Sequence, residues 1–153
     1  MHHEPSRFSA DEDEFLSRLG ENGVEYVIVH GEAVIFYGHA GLTGDIDVFY
    51  RRSADNVERL YRALEEFWAG DIPGIERKEE LMQQGTIFQF GVPPNRIDLL
   101  NDIEAIQFEE AWKNRVARKH EIHGRQLDLN YIGIDDLIRN KAALGLAQGD
   151  KSL

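Results

Sequence analysis

The sequence predicts an α/β (α+β) domain in which helices pack on a mixed, twisted β-sheet. The apolar run Val27–Val29 is typical of a strand that is buried on both faces. Ser53 can cap a later helix, whose apolar residues recur at helical spacing at Val57, Leu60 and Leu64. Because strands alternate with helices, we expect parallel or mixed neighbours in the sheet.

The first third of the chain carries clear boundary signals. Ser9 and Glu12 have the spacing of a capping box, which predicts the start of a first helix that ends near Gly20. After the Val27–Val29 strand, a helical segment is expected at Ala33–Tyr37, followed by a second strand at Asp45–Tyr50.

The remaining segments are assigned by the same patterns. Predicted strands lie at Thr86–Phe90, Arg96–Leu100, Val116–Ile122 and Gln126–Tyr131. The first two of these should pair antiparallel, and the last two should form a hairpin. A short helix is expected near Phe108–Trp112, and a last helix from Asp135 onward. The pattern of Ile75–Gln84 fits a strand, a short helix or a mobile segment.

Length and composition favour one globular domain over residues 1–153. The hydrophobic fraction of 42% is typical of a chain that buries a core. There is no cysteine, which excludes disulfides and thiolate chemistry. No apolar run is long enough to span a bilayer and no signal-peptide pattern is present, so we expect no membrane partner and a cytoplasmic location.

The charge balance argues against one class of partner. The formal net charge is −11, from 17 Lys and Arg against 28 Asp and Glu. Tight, non-specific binding of nucleic acid needs clustered positive charge, so we do not expect it here. The basic residues from Lys113 to Arg125 are interpreted as the solvated face of the predicted hairpin. A small nucleotide carried with its metal ion remains compatible with the composition.

A pair of carboxylates marks the start of the second strand. Asp45 and Asp47 are two residues apart, so both side chains point to one face, while Ile46 and Val48 point to the other. Two adjacent carboxylates repel each other unless a cation lies between them. Hard oxygen ligands in this arrangement suit Mg²⁺. An EF-hand is a poor alternative, because Phe49 falls where that loop needs a ligand.

This arrangement resembles the nucleotidyltransferase superfamily that includes DNA polymerase β. The family pattern is a strand, a small residue at a helix start, an Asp-hydrophobic-Asp pair on the next strand and a third Asp on a later strand. The matching residues are Gly31, Asp45, Asp47 and Asp98. The similarity extends over about Tyr26–Lys141 and is greatest to small stand-alone prokaryotic members, both uncharacterised and of toxin–antitoxin type.

The resemblance implies transfer of a nucleoside monophosphate from an NTP to an acceptor hydroxyl, with release of pyrophosphate. Asp45, Asp47 and Asp98 would be catalytic residues that hold Mg²⁺ or Mn²⁺, and Asp98 could also take the acceptor proton. Gly31 would bind the β- and γ-phosphates. Lys141 could reach a nucleotide phosphate, although a surface lysine explains it equally well. We expect the three carboxyl groups to share one cleft, with mutual repulsion raising the pKa of at least one.

Three positions depart from the family pattern. His30 replaces a glycine, Glu32 would repel a triphosphate, and Gly41 stands where relatives often carry Arg. For His30 the favoured interpretation is a buried, hydrogen-bonded histidine. These departures support an alternative function, in which the fold is catalytically inactive and serves as a nucleotide-binding or protein-interaction (antitoxin-like) module. The sequence names neither the nucleotide nor the acceptor.

Overall fold

The computed structural model describes residues 8–38, 45–92 and 95–147. The strands are β1 (Tyr26–Val29), β2 (Ile46–Tyr50), β3 (Phe88–Phe90), β4 (Ile97–Leu100), β5 (Val116–Ile122) and β6 (Arg125–Tyr131). The helices are α1 (Ala10–Glu21), α2 (His30–Phe36), α3 (Ala54–Phe67), α4 (Phe108–Lys113) and α5 (Ile134–Ala147), with a 3-10 helix at Lys78–Met82. No helix within the described ranges is long and apolar enough to cross a membrane.

All six strands belong to one mixed sheet with the order β3-β4-β2-β1-β6-β5. The central pair β1 and β2 is antiparallel, whereas β2 pairs with β4, and β1 with β6, in parallel. The two edges are antiparallel pairs, β3 with β4 and β5 with β6. The predicted mixed sheet and both predicted antiparallel pairings are therefore confirmed.

Helices cover both faces of this sheet. On one face, α1 and α3 pack against a core that includes Ile28, Ile46 and Val48. On the other face, α2, α4 and α5 pack against Val27 and Phe49. Neighbouring strand residues point to opposite faces, so the buried strands are apolar on both sides. This explains why the central strands read as continuous apolar runs.

Most element boundaries agree with the sequence, and the differences are local. The capping box of Ser9 and Glu12 is present at the start of α1. Strand β2 begins at Ile46, one residue later than predicted, and α2 begins at His30, three residues earlier. The ambiguous segment contains the 3-10 helix. The early start of α2 follows from a sharp turn at His30, whose φ of 58° redirects the chain directly from strand to helix.

A buried asparagine ties the start of β1 to the end of β2. Asn56 of α3 is fully buried, and its side-chain oxygen accepts the backbone N–H of Glu25 at 2.7 Å. Its amide donates to the carbonyl oxygens of Glu25 at 3.0 Å and Arg51 at 2.8 Å. These bonds hold the antiparallel register in which Val29 faces Asp47 at the opposite end of the pair.

We predict that Asn56→Ala lowers the free energy of unfolding by about 2–4 kcal/mol, because three part-buried hydrogen bonds between this fully buried side chain and the backbone are lost. Chemical denaturation measures this. Asp55→Ala, at the exposed neighbouring position, is the control and should cost less than about 1 kcal/mol. Equal costs for the two variants would contradict the clamping role of Asn56.

Candidate active site

The three aspartates singled out in the sequence lie together at the N-terminal ends of β2 and β4. Asp47 of β2 and Asp98 of β4 are register partners on adjacent parallel strands. Asp45 precedes β2 by one residue and, by strand alternation, lies on the same face as Asp47. This is the face that α2, α4 and α5 cover. The site therefore combines side chains from two strands that are about fifty residues apart in the chain.

Arg96 joins two of these carboxylates. Its Nε–H donates to Asp98 Oδ1 at 3.0 Å, and one of its terminal nitrogens lies 3.5 Å from Asp45 Oδ2. Its backbone N–H also donates to Asp45 Oδ1 at 3.3 Å. Arg96 was not among the site residues predicted from the sequence. Its position two residues before Asp98 was the available signal, because that spacing places both side chains on one face of the strand.

His30 contacts the remaining carboxylate. His30 Nδ1 lies 2.6 Å from Asp47 Oδ2, and the nitrogen donates, because an ionised carboxylate can only accept. The His30 side chain is 29% exposed. The prediction that His30 is buried is therefore wrong, whereas the prediction that it is hydrogen-bonded is confirmed. It lies in the candidate site because α2 begins immediately after β1, beside the strand that carries Asp47.

Asp98 is the most buried of the three aspartates, with its side chain 8% exposed. Burial raises the pKa of the Asp98 carboxyl, and the negative charge of Asp47 raises it further. The Arg96 guanidinium and a hydrogen bond from Gln89, its register partner on β3, act in the opposite direction. Repulsion between the carboxylates thus contributes to the raised pKa, as expected, but burial is the larger cause.

The other residues of the family pattern fall in different places. Gly31 lies in the first turn of α2, next to His30. Glu32 is buried, and its charge raises the pKa of Glu12 of α1, after the larger effect of Glu12's own burial. The repulsion of a triphosphate by Glu32 stays a prediction. Gly41 lies outside the described residues.

Lys141 is exposed on α5. Within the described ranges it forms no ion pair with Asp45, Asp47 or Asp98. Its contact with a nucleotide phosphate therefore stays a prediction.

The carboxylate oxygens of the three aspartates are chemically suited to a hard divalent cation. Carboxylate oxygens are the ligands that Mg²⁺ prefers, and a cation, the Arg96 guanidinium, already stands between Asp45 and Asp98. The side chains do not form a ligand shell as they are arranged, since no three His, Asp or Glu residues in the described part of the chain converge to hold an ion. Arg96 and His30 engage the carboxylate oxygens instead.

A concavity of about 430 Å³ lies at the opposite end of β1 from His30. Its lining includes Tyr26, Lys119 and Asp128, together with Arg115, whose guanidinium carbon lies 3.6 Å from the centroid of a Trp112 ring. Both acidic and basic residues line this concavity, and none of the three aspartates is among them. It is therefore separate from the carboxylate site.

Comparison with known proteins assigns the fold to a class. No family model matches the sequence, and no curated protein matches it. The structure is similar to the crystal structure of a protein from Thermotoga maritima (TM1012) that is provisionally described as a nucleotidyltransferase. The TM-score is 0.52 and the identity 14%, over 97% of this chain and 92% of that chain. The mixed α/β fold is accordingly of the nucleotidyltransferase type, and at this identity the likeness shows the fold alone.

We predict that His30→Gly is more stable than His30→Ala by about 1 kcal/mol. Both variants lose the hydrogen bond to Asp47, but only glycine adopts the φ of 58° at this position without steric cost. Thermal or chemical denaturation of the two variants measures the difference. Equal stabilities would show that the backbone at residue 30 is not strained.

Proposed function

We propose that this protein is a metal-dependent nucleotidyltransferase, which moves an NMP group from an NTP to an acceptor hydroxyl. The observation that carries the proposal is the parallel register of Asp47 with Asp98, with Asp45 on the same face. This pairing brings three carboxylates together at the N-terminal ends of β2 and β4, in a fold of the nucleotidyltransferase type. The raised pKa of Asp98 supports a functional role, since perturbed carboxyl groups often occur at catalytic sites.

Asp45, Asp47 and Asp98 would hold the divalent ion, which neutralises charge on the triphosphate when bound. The acceptor oxygen attacks the α-phosphorus, the bond to the β-phosphate oxygen breaks, and pyrophosphate leaves. Asp98 takes the proton of the acceptor hydroxyl, a role to which its raised pKa is suited. Gly31, beside His30 at the start of α2, would lie near the phosphates. Lys141 is a weaker candidate for the same role.

The charge of the chain favours a small acceptor. A net charge of −11 opposes a grip on long DNA or tRNA, because such a grip depends on many phosphate contacts from Lys and Arg. A small molecule or a side chain of a protein partner meets no such barrier. A cytoplasmic setting, where NTPs and Mg²⁺ are abundant, belongs to the same proposal.

We predict that the wild-type protein transfers label from an α-labelled NTP and releases pyrophosphate in the presence of Mg²⁺ or Mn²⁺. A panel of the four NTPs, each with candidate small hydroxyl acceptors and with the protein itself, measures both products. Asp98→Asn should lower the rate at least about a hundredfold, because it cannot accept the acceptor proton. Asp55→Asn, an exposed position on α3, is the matched control and should leave the rate unchanged.

The alternative proposal is an inactive fold that serves as a nucleotide-binding or protein-interaction module, for example an antitoxin-like partner. The observation in its favour is that Arg96 and His30 already engage oxygens of all three aspartates. Nucleotide binding without pyrophosphate release would favour the binding module. Absence of both nucleotide binding and transfer would favour the interaction module.

A further prediction concerns the metal ion. Mn²⁺ or Mg²⁺ should raise the melting temperature of the wild type, because an ion that binds only the folded state stabilises it by about 2.7 kcal/mol at 100 times its Kd. Differential scanning fluorimetry measures the shift. Asp45→Asn and Asp47→Asn should each reduce it, while Asp55→Asn should not. Identical shifts in all four proteins would place the ion outside this site.

A further inference from the structure

Arg96 occupies the centre of the candidate site. It lies immediately before β4, and its guanidinium reaches Asp98 on its own strand and Asp45 beside the neighbouring strand. Two of the three carboxylates that would bind a divalent ion are thus paired with one side chain of the protein. The third, Asp47, is engaged by His30 rather than by Arg96.

The charge on Arg96 is permanent, because guanidinium does not lose its proton in proteins. The repulsion among three carboxylates can be offset either by this charge or by a bound ion. Arg96 already engages Oδ1 of Asp98 and Oδ2 of Asp45, and an ion held by these two aspartates would have to share their oxygens with it. Simultaneous occupation would also place two positive charges side by side, which is unfavourable in a partly buried site.

The Arg96 side chain is able to leave. It is 31% exposed, in contrast to Asp98, which is almost completely buried. Its contact with Asp45 is long, at 3.5 Å, so only the bond to Asp98 has the length of a good hydrogen bond. Partly exposed ion pairs of this kind are weak enough to be exchanged for another partner.

We propose that Arg96 is a tethered cation that competes with the divalent metal ion for Asp45 and Asp98, so that metal binds only when the guanidinium withdraws. The inference rests on the proposed function to the extent that these aspartates are metal ligands. Arg96 then has a regulatory role. Without metal, the Arg96 guanidinium stabilises the carboxylates of Asp45 and Asp98, and its presence lowers the affinity of the site for free metal.

The test compares Mn²⁺ affinity in the wild type, Arg96→Gln and Arg62→Gln by titration calorimetry. Arg62 is exposed on α3, which packs on the opposite face of the sheet, so its replacement makes the same change in net charge away from the site. Arg96→Gln should bind Mn²⁺ about tenfold more tightly than the wild type, since a charged hydrogen-bonded partner no longer has to be displaced. Arg62→Gln should match the wild type.

Equal or weaker Mn²⁺ binding by Arg96→Gln would overturn the proposal, and so would an equal gain in Arg62→Gln, which would reveal a general charge effect. The absence of Mn²⁺ binding in every variant overturns it as well. A second measurement uses the wild type and does not depend on folding of a variant. The NMR resonance of Arg96 Nε–H should move away from its hydrogen-bonded position as Mg²⁺ is added, and a resonance that stays in place while Mg²⁺ binds contradicts the competition.

The outcome is distinguishable from failure of the proposed function. Tighter Mn²⁺ binding in Arg96→Gln without any NMP transfer would support competition between Arg96 and the metal ion and would contradict the proposed transferase activity. NMP transfer by the wild type, with Mn²⁺ affinity unchanged in Arg96→Gln, would support the proposed transferase activity and would contradict competition between Arg96 and the metal ion.

Discussion

The parallel pairing of β2 with β4 places two partly buried carboxylates, Asp47 and Asp98, side by side at the N-terminal ends of these strands. Charge in such a position is unfavourable unless it is paired and hydrogen-bonded. The surrounding residues meet this requirement in turn: Arg96 and Gln89 bond to Asp98, and His30 bonds to Asp47. The contacts of Arg96, Gln89 and His30 with the two aspartates follow from this one pairing.

The rest of the fold serves to maintain that register. Asn56 fixes the far end of the β1–β2 pair through three part-buried hydrogen bonds, and the helices on both faces bury the apolar side chains of the same strands. An acidic cluster costs stability, so the framework must supply more than the cluster removes. Since the alternating apolar residues Ile46 and Val48 are completely buried, a slip of β2 by one residue would turn them to the other face and turn Asp47 into the apolar core that they leave.

Three departures from ideal structure occur together at the aspartate site. The left-handed backbone at His30, the raised pKa of the Asp98 carboxyl and the Arg96 ion pairs all lie within one group of contacts. Strain and perturbed acidity are features that functional sites often share. His30 has a positive φ, a backbone conformation that glycine adopts at least cost.

The sequence by itself determined the mixed sheet with its strand segments, the capping box at Ser9 and the common face of Asp45 and Asp47, because periodicity and caps are local properties. The two-residue spacing of Arg96 and Asp98 at the start of β4 is also a local property of the sequence. Only the tertiary structure decided that His30 contacts Asp47, that Glu32 is buried towards α1, and that Arg96 reaches Asp45. These contacts join segments distant in the chain, and they depend on strand register and on the angle at which α2 leaves β1, which no local pattern encodes.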